Sequence, residues 1–252
     1  MANKANAQQK RLARKSQKDK IRKTRQKKRS LSPIAPSRPP LDEIIANAIF
    51  ALDAGEIGLA EKTFNKLYKK HPNNDYVHYG MGLIAGIHGE LEQARLHLTR
   101  AVELAPNFVE ALYNLAITLQ KLMQLGDTIL CYRRVLQIAP DDDPVRADAQ
   151  EQLDSMEKAI LENENVSIET FIQSDQIFHR GVSLMNAQEW QDAISHFKEV
   201  VELNPSAPQS FGNLGICHAS MGEKQLALDA FDAALAYWIT RSMKAMNPSI
   251  FH

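Results

Sequence analysis

Three prolines stand 34 residues apart, at Pro72, Pro106 and Pro140, and each closes the same pattern. A small residue is followed twelve positions later by a second, and twelve later again by the proline. Ala48, Ala60 and Pro72 form the first set, and Gly82, Ala94 and Pro106 the second. Ala116, Thr128 and Pro140 form the third, with Thr128 in a small-residue position, and Gly181, Ala193 and Pro205 the fourth. Gly215 and Ala227 open a fifth set, with Ile239 where the proline is expected. Four residues after each second small residue stands a large one: Phe64, Leu98, Tyr132, Phe197 and Phe231. Self-similarity at such a period predicts stacked supersecondary units rather than one globular core.

Each unit carries two apolar stripes at helical spacing, for example Leu112, Leu115 and Leu119, then Ile129, Tyr132, Val135 and Leu136. The small residues let helix A and helix B approach closely, and the closing proline cannot continue helix B. One pair cannot bury its apolar face alone, whereas stacked pairs share a continuous core. The stretches "AEKTFNKLYKKHPNN", "EQARLHLTRAVELAPN", "ALYNLAITLQ", "DAISHFKEVVELNPS" and "FGNLGICHASMGEKQLALDAFDAAL" make the chain resemble the tetratricopeptide repeat family over roughly residues 41–142 and 174–236. The resemblance implies an all-α fold: a right-handed α-solenoid of about five helix pairs with a concave groove.

The repeat breaks once. Residues 143–173 lack the signature, yet Val145, Ala149, Leu153, Met156 and Ile160 recur at helical spacing, so an insert helix is expected between the third and fourth pairs. "ENENV" reads as a turn, with Ser167 as N-cap of a helix running on through Phe171 and Phe178. The expected organisation is a tail and linker over 1–40, three repeats over 41–142, the insert over 143–173 and two repeats over 174–252. At the C-terminus Trp238, Ile239 and Met243 extend the last stripe, with Pro248 the first breaker. An extended final helix follows, open to three uses: capping the array, pairing two copies as a homodimer, or anchoring a peptide; an altered C-terminal end is a further reading.

The net charge of zero conceals two opposite segments. Residues 1–40 hold 14 of the 30 Lys and Arg and one acid, Asp19, for a net +13; residues 41–252 hold the other 16 bases and 29 acids, for a net −13. With few large apolar residues the first segment cannot offset its chain entropy and is expected to be disordered when free, ending in a proline-rich linker, "SPIAPSRPP". Lys10, Arg11, Arg14, Lys15, Lys18, Lys20, Arg22, Lys23, Arg25, Lys27, Lys28 and Arg29 suit a polyphosphate backbone and hence RNA or a ribosome. No aromatic is interleaved, so base stacking is not expected. Lipid and the acidic body are the competing anionic partners. No apolar run is long enough to span a bilayer, and no apolar h-region follows the N-terminal charge, so a cytoplasmic protein is expected. Cys131 and Cys217 fall inside apolar helical patterns and read as reduced core thiols.

The chain has no phosphate-cradling glycine loop, no GxSxG elbow and no CxxC pair. Its eight histidines show no metal-ligand spacing on one helix, so no catalytic residue, cofactor or metal is expected. His179 and His218 lie on A helices, either facing the groove or satisfied structurally, and Asp143 reads as a cap on the insert helix. Binding remains. The resemblance implies a groove lined by one face of each A helix: Ile45 and Ile49; Tyr76, Tyr79 and Leu83; Glu110, Tyr113, Ile117 and Lys121; Asp175, Phe178, Val182 and Met185; Gln209, Ile216 and Ser220. A peptide or partner helix is the expected ligand. Asn114 and Asn213 stand where such repeats hydrogen-bond a peptide backbone, or else they bond neighbouring helix groups. A clamp for a terminal carboxylate is not expected, because Ile45, Ile49, Gly80 and Glu110 stand where the resemblance requires cations and amides.

Overall fold

The computed structural model describes residues 40–164 and 166–246. It divides into two compact units, Met1–Ile44 and Ile45–His252, and nearly all the described residues belong to the second. The described residues form eleven helices and no strand. These are α1 (Leu41–Asp53), α2 (Ile57–Lys70), α3 (Asp75–Ile87), α4 (Leu91–Leu104), α5 (Val109–Lys121) and α6 (Leu125–Ile138). They continue as α7 (Pro144–Glu164), α8 (Ile168–Asn186), α9 (Trp190–Leu203), α10 (Pro208–Ser220) and α11 (Lys224–Met246). The most extensive packing is within the pairs α3–α4, α5–α6, α8–α9 and α10–α11, and successive pairs pack through α2–α3, α4–α5 and α9–α10. The fold is an all-α solenoid of the tetratricopeptide type.

The small residues sit where helices touch. A Cβ added to Gly215 would lie 2.4 Å from the Phe231 ring, and one on Gly181 would lie 2.9 Å from Phe197. Gly80 is the tightest such point, 2.2 Å from Phe64, which joins one pair to the next. Thr128 is fully buried in a small-residue position because its Oγ1 donates to the Gln124 carbonyl at 2.8 Å, removing the cost of a buried hydroxyl.

A second period, one that the proline count does not reveal, runs through the turns between A and B helices. Gly55, Gly89 and Gly222 have φ of 78°, 76° and 78°, while Met123 and Gln188 occupy the same left-handed region at 59° and 63°. In every case the next N–H reaches back into the A helix: Glu56 to Ala51, Glu90 to Ala85, Gln124 to Leu119, Glu189 to Leu184 and Glu223 to His218. This closes the last turn of helix A and fixes the hairpin.

The insert continues the stack. α7 packs on α6 and α5, burying Ala149, Leu153 and Ile160 in one cluster with Tyr132 and Ile129 of α6. Asp143 Oδ1 accepts the Val145 N–H at 2.9 Å at its start. The Arg146 guanidinium donates to the carbonyls of Leu136 and Ala139, which are left open at the end of α6. Arg133 of α6 reaches Glu157 of α7 at 2.7 Å and Glu169 of α8 at 3.4 Å. Ser167 caps α8 by accepting the Thr170 N–H at 3.1 Å. α8 then serves two neighbours: Ile168 and Ile172 join the cluster of α5 to α7, and Phe178 and Val182 pack against that of α9 and α10.

α11 runs from Lys224 to Met246 as one extended helix. It packs on α10, but its other face stays open, with Leu228, Leu235, Trp238, Ile239 and Met243 each at least half exposed. Pro248 lies outside the described residues.

Candidate functional site

The A helices present side chains of two kinds at the positions expected to line a groove. Tyr76 and Ile216 are open, each 46% exposed, and Lys121 is exposed as well. Tyr79, Leu83, Tyr113, Asn114, Ile117, Phe178, Val182 and Asn213 are half-buried. Ile45 is buried in the core, so this residue of the first A helix offers nothing to a ligand.

Tyr76, Tyr79 and Asn114 form one connected group. The rings of Tyr76 and Tyr79 lie 4.5 and 4.9 Å from Phe108, which closes pair two against pair three. Asn114 Nδ2 donates to the Tyr79 hydroxyl at 3.3 Å and to the Glu110 carbonyl at 2.8 Å. Asn114 thus bonds neighbouring helix groups, whereas the Asn213 side chain makes no hydrogen bond among the described residues. Burial, then the charge of Glu110, pushes the Tyr79 phenol up to about 12, so it stays neutral. Tyr76 and Phe108, with Asp75, Glu110 and Asp143, line a shallow cleft of about 420 Å3.

Tyr113 is more structural than the sequence suggests. Its hydroxyl donates to Asp148 of the insert helix, and its ring lies 6.0 Å from the buried Tyr132. The insert thus covers part of the surface expected for ligand. Burial, followed by the bond to Asp148, raises the Tyr113 phenol well above its ordinary value.

The two A-helix histidines are satisfied within the fold. His218 is buried, and its Nδ1 lies 2.5 Å from Glu223 Oε2, the structural one of the two readings of this residue. His179 Nε2 donates to the Met123 carbonyl at 3.1 Å. A histidine contact that the sequence hides joins α3 to α4: His78 Nδ1 and His97 Nδ1 are 3.1 Å apart. His78 Nε2 lies 2.9 Å from the Pro72 carbonyl, so that nitrogen donates, His78 Nδ1 accepts and His97 Nδ1 carries the shared proton. Tyr68 meets both rings edge-on at 5.4 Å.

A second cavity opens at the break in the repeats. About 450 Å3 in volume, it is lined by Met123, Leu125, Glu164, Phe171, Ser174, Asp175, Phe178, His179, Val200, Asn204, Ala207 and Gln209. Asp175 Oδ2 accepts the Gly126 N–H at 2.8 Å, and burial, the dominant influence, raises its carboxyl. Sequence spacing placed Asp175, Phe178 and Gln209 on A-helix faces; the approach of α6 and α7 that completes the cavity is tertiary.

Cys131 and Cys217 are free thiols, half-buried and buried, and burial pushes the Cys131 thiol up to about 12. No cluster of three or more His, Cys, Asp or Glu among the described residues is placed to hold a metal ion. No helix among them is long and apolar enough to cross a membrane. The basic residues from Lys10 to Arg29 lie outside the described residues.

Residues 46–107 and 178–240 match one model of the tetratricopeptide repeat, and residues 97–129 match a second. These matches cover more than half of the chain, which belongs to the tetratricopeptide repeat family. Among solved structures it is similar to YrrB, described as a TPR protein with an unusual peptide-binding site, with 19% identity and a TM-score of 0.39 over 77% of this chain and 84% of that one. It is also similar to the TPR domain of P58(IPK), with 17% identity and a TM-score of 0.44 over 78% of this chain and 50% of that one. The TPR2AB domain of yeast Sti1, solved in complex with pHSP90, shows 18% identity and a TM-score of 0.40 over 78% of this chain and 76% of that one. No curated protein sequence matches the chain.

Proposed function

We propose that this chain is a non-enzymatic protein–protein interaction adaptor whose A-helix faces bind a peptide or helix of a partner. The observation that carries this reading is the exposure of apolar side chains on A helices, with Tyr76 and Ile216 each at 46% and Tyr79, Leu83, Ile117 and Val182 half-buried. Such side chains on a rigid scaffold offer contact area at low entropic cost to an apolar partner. The substitutions that test it are Tyr76→Ser and Ile216→Ser, because both residues are open; Tyr76 also packs on Phe108, so thermal unfolding of each variant is measured beside binding. Tyr113→Ala would also release Asp148 and so confuse binding with stability. A partner recovered from cell extract by the intact chain and lost with the two serine variants supports the reading; undiminished recovery refutes it.

The basic segment from Lys10 to Arg29 extends the proposal, as a tether to RNA or a ribonucleoprotein. Its test compares the full chain with residues 41–252 on a fluorescent RNA of about 20 nucleotides at low and high salt. Salt-sensitive binding confined to the full chain is the expected result. Equal binding, or none, makes the protein a scaffold whose basic segment has no nucleic-acid role. The open face of α11 completes the reading, as the surface through which two copies pair.

A further inference from the structure

Every regular junction in a solenoid is closed by the next repeat, but the junction at the break is not. There α6 begins, α7 ends, α8 passes by and α9 hands over to α10, and together they leave the cavity of about 450 Å3. Two carboxylates line it, Glu164 and Asp175, and no Lys or Arg does. Each carboxylate has one oxygen held by the protein. Glu164 Oε2 accepts from Asn204 Nδ2 at 3.3 Å, and Asp175 Oδ2 accepts from the Gly126 N–H at 2.8 Å. Among the described residues the second oxygens accept no hydrogen bond: Asp175 Oδ1 stands 3.7 Å from His179 Nε2, whose proton goes to the Met123 carbonyl. The remaining wall is mixed: Met123, Leu125, Val200, Ala207 and the rings of Phe171 and Phe178 are apolar, while Ser174, His179, Asn204 and Gln209 are polar.

Two carboxylates in a half-enclosed site that no Lys or Arg lines favour a cation that brings its own hydrogen-bond donors. Aromatic walls suit the aliphatic stem and, face-on, the charge of that cation. We propose that this cavity is the anchor pocket for a lysine or arginine side chain of a bound peptide. The inference rests on the peptide-binding reading above and narrows it to partners with a basic anchor. The mouth favours a chain segment over a free amine: Phe178 and Gln209 sit on the A-helix faces of α8 and α10, beside the half-buried Val182 of α8. The state of Asp175 also fits, since burial disfavours its charge and an arriving cation would restore it.

The test uses the full chain and four degenerate nonapeptide libraries, identical except for a central residue fixed as Arg, Lys, norleucine or Glu, with fluorescence anisotropy as the readout. The Arg or Lys library is expected to bind at least ~10-fold more tightly than the norleucine library, and the Glu library more weakly still. Glu164→Gln with Asp175→Asn should bring the basic libraries down to the norleucine level, while the new Asn oxygen still accepts the Gly126 N–H. Gln209→Trp, at the exposed rim, should block the pocket without touching the core, and thermal unfolding of each variant checks that it is folded. Libraries that bind equally well, or a basic preference that survives both variants, overturn the pocket and leave the adaptor reading intact. No binding by any library overturns both.

Discussion

Met123 and Gln188 hold the left-handed turn that three glycines hold elsewhere, and a side chain in that region costs about 1–2 kcal/mol. Replacing either by glycine removes that strain but gives the unfolded chain extra entropy, about 0.5–1 kcal/mol. Met123→Gly and Gln188→Gly are each expected to stabilise the protein by about 0.5–1 kcal/mol in urea unfolding. Gly80 has the opposite expectation. Its Cβ position lies 2.2 Å from the fully buried Phe64, which has no room to withdraw, so Gly80→Val should cost about 1–3 kcal/mol in the same measurement. The His78–His97 pair sets a pH dependence. Burial first, and then the charge of His78, holds the His97 imidazole below its ordinary 6.5. The unfolded chain takes up a proton near that value while the folded protein does not. Stability is therefore full above the unfolded value and falls as pH drops through the folded one. The thermal midpoint should be lower at about pH 5 than at about pH 7.5, and His97→Gln should reduce the difference.

At the scale of elements, the regular hairpins were legible because the signals that make them are local. A small residue, a large one and a proline at fixed offsets dictate one close helix pair and its end. α8 was legible as a helix, with its Ser167 cap, but not as one shared between two clusters. Its apolar residues recur along a single helix, and nothing in their spacing says that Ile172 meets α6 and α7 while Phe178 meets α9. α11 shows the converse. Ile194 and Phe197 of α9 are buried, at 2% and 0% exposure, because α10 and α11 follow; their counterparts one repeat later, Leu228 and Phe231, are exposed at 56% and 41%. The chemistry of a repeat junction is present there, with no described helix as its cover. If two copies supply it to one another, sedimentation equilibrium should give a dimer at micromolar concentration and a monomer for Trp238→Asp, whose side chain lies on the open face and is half exposed.

For the whole molecule, the charges decide more than the fold does. A body of net −13 and a segment of net +13 leave the chain neutral in sum. If RNA takes the basic segment, neutralising several phosphates makes affinity fall by about 10³-fold between about 50 and 200 mM salt. A flat salt response in an RNA titration would remove RNA from the partners. The groove was legible only in outline. Helical periodicity placed Tyr76, Tyr79 and Ile216 on A helices, but it did not show that Tyr113 and Asn114 are engaged with Asp148, Tyr79 and Glu110.

The division has one physical origin. Within a repeat, helix pairing depends on residues a turn or two apart in a short hairpin, so a period of 34 residues and its small–small–proline offsets suffice to specify the pairs and their order. The break imposes no such period. There Gly126 meets Asp175 and Asn204 meets Glu164 across 49 and 40 residues, because α7 and α8 happen to present the faces that α6 and α9 leave open. The junction pocket arises from those meetings of faces, which packing sets and spacing along the chain does not encode.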